Sequence, residues 1–308
     1  MKVCVLGAGS LGSTIGGALA QAGNEVHFVG RAAHMDAINK NGLVMVTPTG
    51  EEIAHPQGHT TPDGIGPCDL IIVLCKAFDT KATMEEGAEL VGPDTVVVSL
   101  QNGLGAEDEL AEVVGREHVI GGKTYIGGML LEPGRVQATI PGKDTIIGEL
   151  DGTVSARARA IGEAFEAAGM HCIVSDNIMG VIWDKLLVNV ATGAVCGITG
   201  MTYGQMYADD KVVATATAAV QEGMDVAHAA GIKLTYDDPT GPLELARAGL
   251  PDSFKPSILQ SLEKNRPTEV GVINGSVVRW GAKYGVPTPV NSALEALVGG
   301  IEVARGLR

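Results

Sequence analysis

Several features are scarce in this 308-residue sequence, and each scarcity removes a class of function. Lys and Arg number 22 against 36 Asp and Glu, a formal charge of −14, and no basic run interrupts the acidic balance. The electrostatic footprint of a nucleic-acid or anionic-membrane binder is missing, so neither partner is expected. Aromatic residues make up only 4%, so large rings do not dominate the core. The five cysteines, Cys4, Cys68, Cys75, Cys172 and Cys196, show no C-x-x-C spacing. Cys4, Cys75 and Cys172 sit in apolar strand-like runs and are expected to be small buried hydrophobes. The seven histidines are scattered, and no metal centre is expected. No uninterrupted apolar run reaches the roughly 18 residues of a membrane span. No signal-peptide pattern precedes the opening strand, and a reducing, cytoplasmic setting is expected.

What is abundant is glycine, 43 residues, within a chain that is 45% apolar. A sizeable core is therefore available, and close backbone approaches and tight turns replace bulk in places. The length favours two domains. In the first part, short Val/Ile/Leu runs alternate with helical or Gly-rich segments: Val3–Leu6, a helix from about Leu11 to Ala22, Glu25–Val29, Leu70–Leu74, Thr95–Ser99 and Val119–Ile120. Continuous apolar strands of this kind belong to a parallel sheet covered on both faces. Between about Lys123 and Leu150 the texture becomes Gly/Thr-rich, with Arg135–Ile140 and Thr145–Ile147 around the Pro141-Gly142-Lys143 turn, and an antiparallel extension of the sheet is expected. From about Asp176 strand signals nearly vanish. Helical spacing follows from Lys211 to about Ala230, from Val270 through Trp280 to Gly285, and after Asn291. The reading is a doubly wound α/β domain over 1–175 and an all-α domain over 176–308.

The strongest local motif is Gly7-Ala8-Gly9-Ser10-Leu11-Gly12 between a strand and an amphipathic helix. The first Gly permits the turn, the second lets backbone approach a pyrophosphate, and the third lets helix pack on strand. In that place it makes 1–175 an α/β Rossmann-type dinucleotide-binding domain; the alternative is a plain strand-to-helix turn. At the end of the second strand, where an acid would hold the ribose hydroxyl of NAD, the sequence reads Val29-Gly30-Arg31. Arg31 can pair with a 2′-phosphate, which favours NADP(H), or it is a solvated loop residue. Lys76 follows a later strand. Gln101-Asn102-Gly103-Leu104-Gly105 follows another and offers an amide beside flexible glycines, unless Asn102 only caps a helix.

In the helical half, Lys185 and Asn189 stand four residues apart in Trp183-Asp184-Lys185-Leu186-Leu187-Val188-Asn189, hence on one helix face. Such a Lys can protonate a ketone oxygen, or it can snorkel from the core or pair with Asp184. Glu269 is expected in the first turn of a helix, where carboxylates favour the macrodipole. Ser257 could be a helix cap.

In order, G-x-G-x-x-G, a Lys after a later strand, Q-N-G-x-G, W-D-K-L-x-x-N, Lys255-Pro256-Ser257-x-x-Gln260 and Pro267-Thr268-Glu269-x-x-x-Ile273-Asn274-Gly275 resemble the ketopantoate reductase family, from Gly7 to about Pro289. The resemblance implies an oxidoreductase that uses NADPH to reduce the 2-oxo acid 2-dehydropantoate to (R)-pantoate, on the route to pantothenate and coenzyme A. It implies Lys185 as general acid, with Glu269 binding and orienting substrate beside Asn189 and Ser257. Asn102 would lie between nicotinamide ribose and substrate, and Gly7, Ala8, Gly9, Ser10, Leu11, Gly12, Arg31 and Lys76 would hold the cofactor. Two positions depart from the family pattern: Gly193 and Tyr203 stand where Asn is expected. Gly193 would enlarge the pocket, so a bulkier or less polar 2-oxo acid is the alternative substrate. A non-catalytic NADPH-binding regulator is the alternative of another class. Monomer and homodimer are both compatible with the helical half.

Overall fold

The structure, a computed structural model, describes residues 1–248 and 250–308. It divides into two compact units, Met1–Gln101 with Ala106–Ile178, and Asn102–Gly105 with Met179–Arg308. Unit 1 runs β1 (Lys2–Leu6), α1 (Ser10–Gln21), β2 (Glu25–Val29), α2 (Ala32–Asn41), β3 (Leu43–Thr47), β4 (Gly50–Ala54), β5 (Gln57–His59) and β6 (Cys68–Val73). It continues through α3 (Thr80–Glu86), β7 (Val91–Ser99), α4 (Ala106–Val114), β8 (Val119–Thr124), β9 (Gly127–Glu132), β10 (Arg135–Thr139), β11 (Thr145–Gly148), α5 (Ala156–Ala167) and β12 (Cys172–Val174).

The main sheet has eight strands in the order β12-β11-β8-β7-β6-β1-β2-β5. From β5 to β8 it is parallel, in register Val3↔Val26, Val3↔Leu70 and Leu70↔Val96. The chain runs outward from β1 in one direction and restarts beside it with β6. Ligands of open α/β sheets bind at such a switch point, outside the carboxyl ends of the strands. Alternate residues of each strand feed two cores. Val3, Val5, Val26, Phe28, Leu70 and Ile72 face one side, and Cys4, Leu6, Ile71, Val73 and Val97 the other. This two-sided burial explains the continuous apolar runs.

The expected antiparallel extension holds for only one of its two segments. Thr145–Gly148 pairs antiparallel with β8, but Arg135–Thr139 belongs to a separate four-stranded sheet, β4-β3-β10-β9. There β10 lies parallel to β3, with Arg135↔Val44, and antiparallel to β9. Of the cysteines expected to be buried, Cys4 is, but Cys75 and Cys172 are half-buried because they lie at the end of β6's run and on the edge strand β12. All five are free thiols.

Unit 2 is built from α6 (Ile178–Thr199, whose first residue lies in unit 1), α7 (Tyr203–Tyr207), α8 (Asp210–Ala229), α9 (Thr240–Arg247), α10 (Ser257–Glu263), α11 (Asn274–Tyr284) and α12 (Pro289–Ala304). Among the described residues α6 alone is long and apolar enough to cross a bilayer by length and composition, yet 72% of its apolar window is buried within the fold. It is a core helix interrupted by Asp184, Lys185 and Asn189. The Asp184 carboxylate accepts from the Thr235 amide and, at 2.7 Å, from its hydroxyl. Trp183, fully buried, packs edge-on against Trp280 of α11 at 5.4 Å. Asn274, of the Ile273-Asn274-Gly275 stretch, and Asn291 have structural partners. Asn274 Nδ2 donates to Asn291 Oδ1, and Asn291 donates to the Ala219 carbonyl and to Glu222.

Two helix boundaries differ from expectation. The periodic run expected from Val270 breaks into a 3-10 turn, Val270–Val272, and α11, because Ile273 adopts φ −101°, ψ −90° between them. Glu269 therefore precedes a 3-10 turn instead of lying in a helix's first turn. The last helix begins at Pro289, before Asn291, with its first amides taken by Glu222.

Candidate functional site

In unit 1 the candidate cofactor residues lie at the carboxyl ends of β1, β2, β6 and β7. After β1 the chain turns at Gly7, with φ +94°. A Cβ there would lie 2.4 Å from the Cys75 amide nitrogen, so the turn presses directly on the end of β6. A Cβ on Gly12 would lie 2.6 Å from the Gly7 carbonyl oxygen. By contrast, nothing stands within 4 Å of where a Cβ on Gly9 would be, and no side chain caps α1 there. Open space before uncapped amides at a helix N-terminus fits a pyrophosphate.

The rest of the loop supplies backbone more than side chains. The amides of Gly7 and Ala8 donate to the Val29 carbonyl, and the Ala8 methyl is buried. Leu11 packs against the core. The Ser10 hydroxyl accepts from the Leu130 amide at 3.0 Å, so β9 lies against the start of α1. Gly128 makes this approach feasible, since a Cβ there would lie 2.5 Å from the Ser10 carbonyl.

Arg31, exposed, is the N-cap residue of α2 and caps nothing with its side chain. Its helix is fixed by His34, which accepts at Nδ1 from the Gly134 amide, 2.9 Å, and contacts Ser13 Oγ through Nε2, 2.9 Å. With Nδ1 an acceptor, the hydrogen sits on Nε2 and is donated to Ser13. Burial pushes the His34 pKa down, which favours the neutral ring. Lys76, exposed, precedes a 3-10 turn at the end of β6. Gln101 donates from Nε2 to the Cys75 carbonyl at 2.8 Å and fastens the end of β7 to that of β6.

In unit 2 the residues Asn102–Gly105 pack with the helices. Asn102 Nδ2 donates to Glu269 Oε2 at 3.4 Å, across 167 residues of sequence. Gly103, at φ +92°, sits where a Cβ would lie 2.4 Å from the Val272 carbonyl, and the Leu104 amide donates to that same carbonyl. Asn102 is therefore not a helix cap. Lys185 and Asn189, both half-buried, share one face of α6. Ser257 is the first residue of α10 and exposed; Pro256 occupies the cap position, so Ser257 is no cap.

The departures from the family pattern are enclosed within unit 2. Gly193 does not open space: the Ile258 side chain fills it, 3.0 Å from where a Cβ would be. The Tyr203 hydroxyl lies 3.1 Å from Thr192 Oγ1, and its ring packs on Phe254 at 5.0 Å. Neither Ile258 nor Thr192 stood out in the sequence, since apolar spacing on a helix marks a core face and not the neighbour each side chain meets. Among the described residues no group of three or more His, Cys, Asp or Glu is arranged to hold a metal ion.

The sequence matches the family described as "Ketopantoate reductase PanE/ApbA" over residues 3–152 and its C-terminal part over 177–302. It is 35% identical over 300 residues to a 2-dehydropantoate 2-reductase of Pyrococcus horikoshii, covering 97% of this chain and 96% of the relative. A PanE/ApbA family ketopantoate reductase from Ralstonia eutropha superposes with a TM-score of 0.90 at 30% identity, covering 99% and 100% of the two chains. A D-mandelate dehydrogenase solved with NADH and anilino(oxo)acetate superposes with 0.89 at 30% identity and the same coverage. With both halves matched in order, the chain belongs to the ketopantoate reductase family of oxidoreductases.

Proposed function

We propose that the protein reduces 2-dehydropantoate to (R)-pantoate with NADPH, within pantothenate and coenzyme A biosynthesis. The observation that carries this reading is the Asn102–Glu269 pair, which joins the turn after β7 to the segment after Pro267. Free thiols throughout fit the reducing, cytoplasmic setting that the reading assumes. We assign cofactor binding to residues 1–175 and substrate binding and catalysis to 176–308, with Asn102 contributing to both.

When bound, the dinucleotide supplies the hydride that adds to the C2 carbonyl carbon. The Gly7–Gly12 loop and the α1 amides receive the pyrophosphate, Arg31 pairs with the 2′-phosphate, and Lys76 adds positive charge at the end of β6. Glu269, Asn189 and Ser257 bind and orient the substrate. Lys185 delivers a proton to the C2 oxygen as negative charge develops there, an interaction stronger in the transition state than in the ground state.

A second reading, a less polar 2-oxo acid, is favoured by the apolar company of Gly193 and Tyr203, namely Ile258 and Phe254; the filled space at Gly193 removes the argument for a bulkier one. The test is loss of reduced-nicotinamide absorbance with 2-dehydropantoate beside a panel of branched and aromatic 2-oxo acids. Selective turnover of 2-dehydropantoate is expected; a better panel member establishes the second reading. Lys185→Ala is expected to lower kcat at least about 100-fold with NADPH affinity unchanged, and near-normal turnover rejects the assignment.

A further inference from the structure

Glu302, on α12, is a fully buried carboxylate. Burying a charge is costly unless it is paired and hydrogen-bonded, so its partners show what it is for. Oε1 accepts from the Thr268 amide at 2.5 Å. Oε2 lies 2.5 Å from Nε of Arg308, an ion pair without hydrogen-bond alignment. Thr268 immediately precedes Glu269.

The segment is held on both sides of Glu269. Downstream, the Glu269 carbonyl accepts from the amides of Val272 and Ile273, each at 3.1 Å. Upstream, Thr268 Oγ1 accepts from the Val270 amide at 3.3 Å, while the Thr268 amide is drawn to Glu302. The link arriving from α10 contains Asn265 at φ +49°, the one non-glycine residue with positive φ among the described residues. Arg305 donates to the Leu262 carbonyl at 2.7 Å, holding the last turn of α10 from which that link leaves. The end of α12 and the residues after it therefore grip the stretch that presents Glu269.

We infer that Glu302, held by Arg308, is a positioning residue that fixes the Thr268–Glu269 segment so that the Glu269 carboxylate meets the substrate. This rests on the reading of Glu269 as a substrate-binding residue. An apolar residue would fill the same space without the cost of a buried charge. What it could not do is accept from the Thr268 amide.

The test separates the substrate from the cofactor. Glu302→Ala is expected to lower kcat/KM for 2-dehydropantoate by about ten-fold or more, mainly through KM, while NADPH affinity stays within about two-fold. Glu302→Gln, whose side-chain oxygen can still accept from Thr268, is expected to recover most of the loss. Arg308→Ala alters a half-exposed side chain and keeps the protein folded if Glu302→Ala does not; a rise of about three-fold in KM for the 2-oxo acid is expected. Kinetics like the unsubstituted protein's in a folded Glu302→Ala variant, or failing that in Arg308→Ala, overturn the inference. So does a parallel loss of NADPH affinity. Absence of 2-oxo acid turnover in the unsubstituted protein rejects the reaction itself, whereas turnover there with unchanged variants rejects only the role of Glu302.

Discussion

Glu107, in the first turn of α4, is a carboxyl group whose ionisation is set against the fold. Burial pushes its pKa up from 4.5 to about 7; a hydrogen bond from its own backbone and the charges of Lys123 and Arg116 oppose the rise, while Asp108 adds to it. A folded-state pKa above the unfolded value means the folded protein binds the extra proton. Its contribution to stability is present below about pH 4.5 and is lost as pH rises to about 7. At roughly 1.4 kcal/mol per pKa unit, the loss is on the order of 3–4 kcal/mol. Glu107→Gln is expected to match the unsubstituted protein at pH 4 and to be more stable at pH 8, in urea unfolding at each pH. An equal difference at both pH values counts against this. At the same scale, Lys185 and Asn189 were legible because helical spacing alone places them on one face. The Asn102–Glu269 contact was not, because it joins residues 167 apart. Glu302 was invisible for another reason: besides Arg308 its partner is the Thr268 backbone amide, which no side-chain pattern announces.

Within an element, glycine can be there for space or can merely be tolerated, and the two cases give opposite outcomes. A Cβ on Gly16 of α1 would lie 2.2 Å from Phe28 Cε1 and 3.0 Å from Val5 Cγ2, both in fully buried side chains. Overpacking of about 1–3 kcal/mol exceeds the helix-propensity gain of about 1 kcal/mol from Gly to Ala. Gly300 of α12 is exposed with nothing within 4 Å. Gly16→Ala is expected to lower the denaturant midpoint and Gly300→Ala to raise it, the latter by about 0.5–1 kcal/mol of stability. A shared sign defeats the argument. The parallel strands were readable because each is buried on both faces. The small sheet was not: β4, Gly50–Ala54, is exposed over its first four residues and looks like a polar loop. Likewise β10 finds its parallel partner β3 some 90 residues earlier, a pairing that local alternation does not specify.

For the whole molecule, the two units imply that unfolding need not be a single transition, and cofactor binding supplies a handle on the unit that holds the glycine loop. A ligand that binds only the folded state at about 100 times its Kd adds about 2.7 kcal/mol. For a unit of this size each kcal/mol moves the midpoint by about 2–4 °C, so NADPH is expected to raise the calorimetric transition of unit 1 by about 5–10 °C. If Arg31 pairs with the 2′-phosphate, that charge-assisted contact is worth about 1.5–3 kcal/mol, and NADH at equal concentration is expected to shift the transition markedly less. Arg31→Ala should then bring the NADPH shift down to the NADH value and leave the NADH shift unchanged. Equal shifts by the two dinucleotides in the unsubstituted protein would mean that Arg31, exposed at the N-cap of α2, is a solvated loop residue and that the glycine loop binds without reading the phosphate.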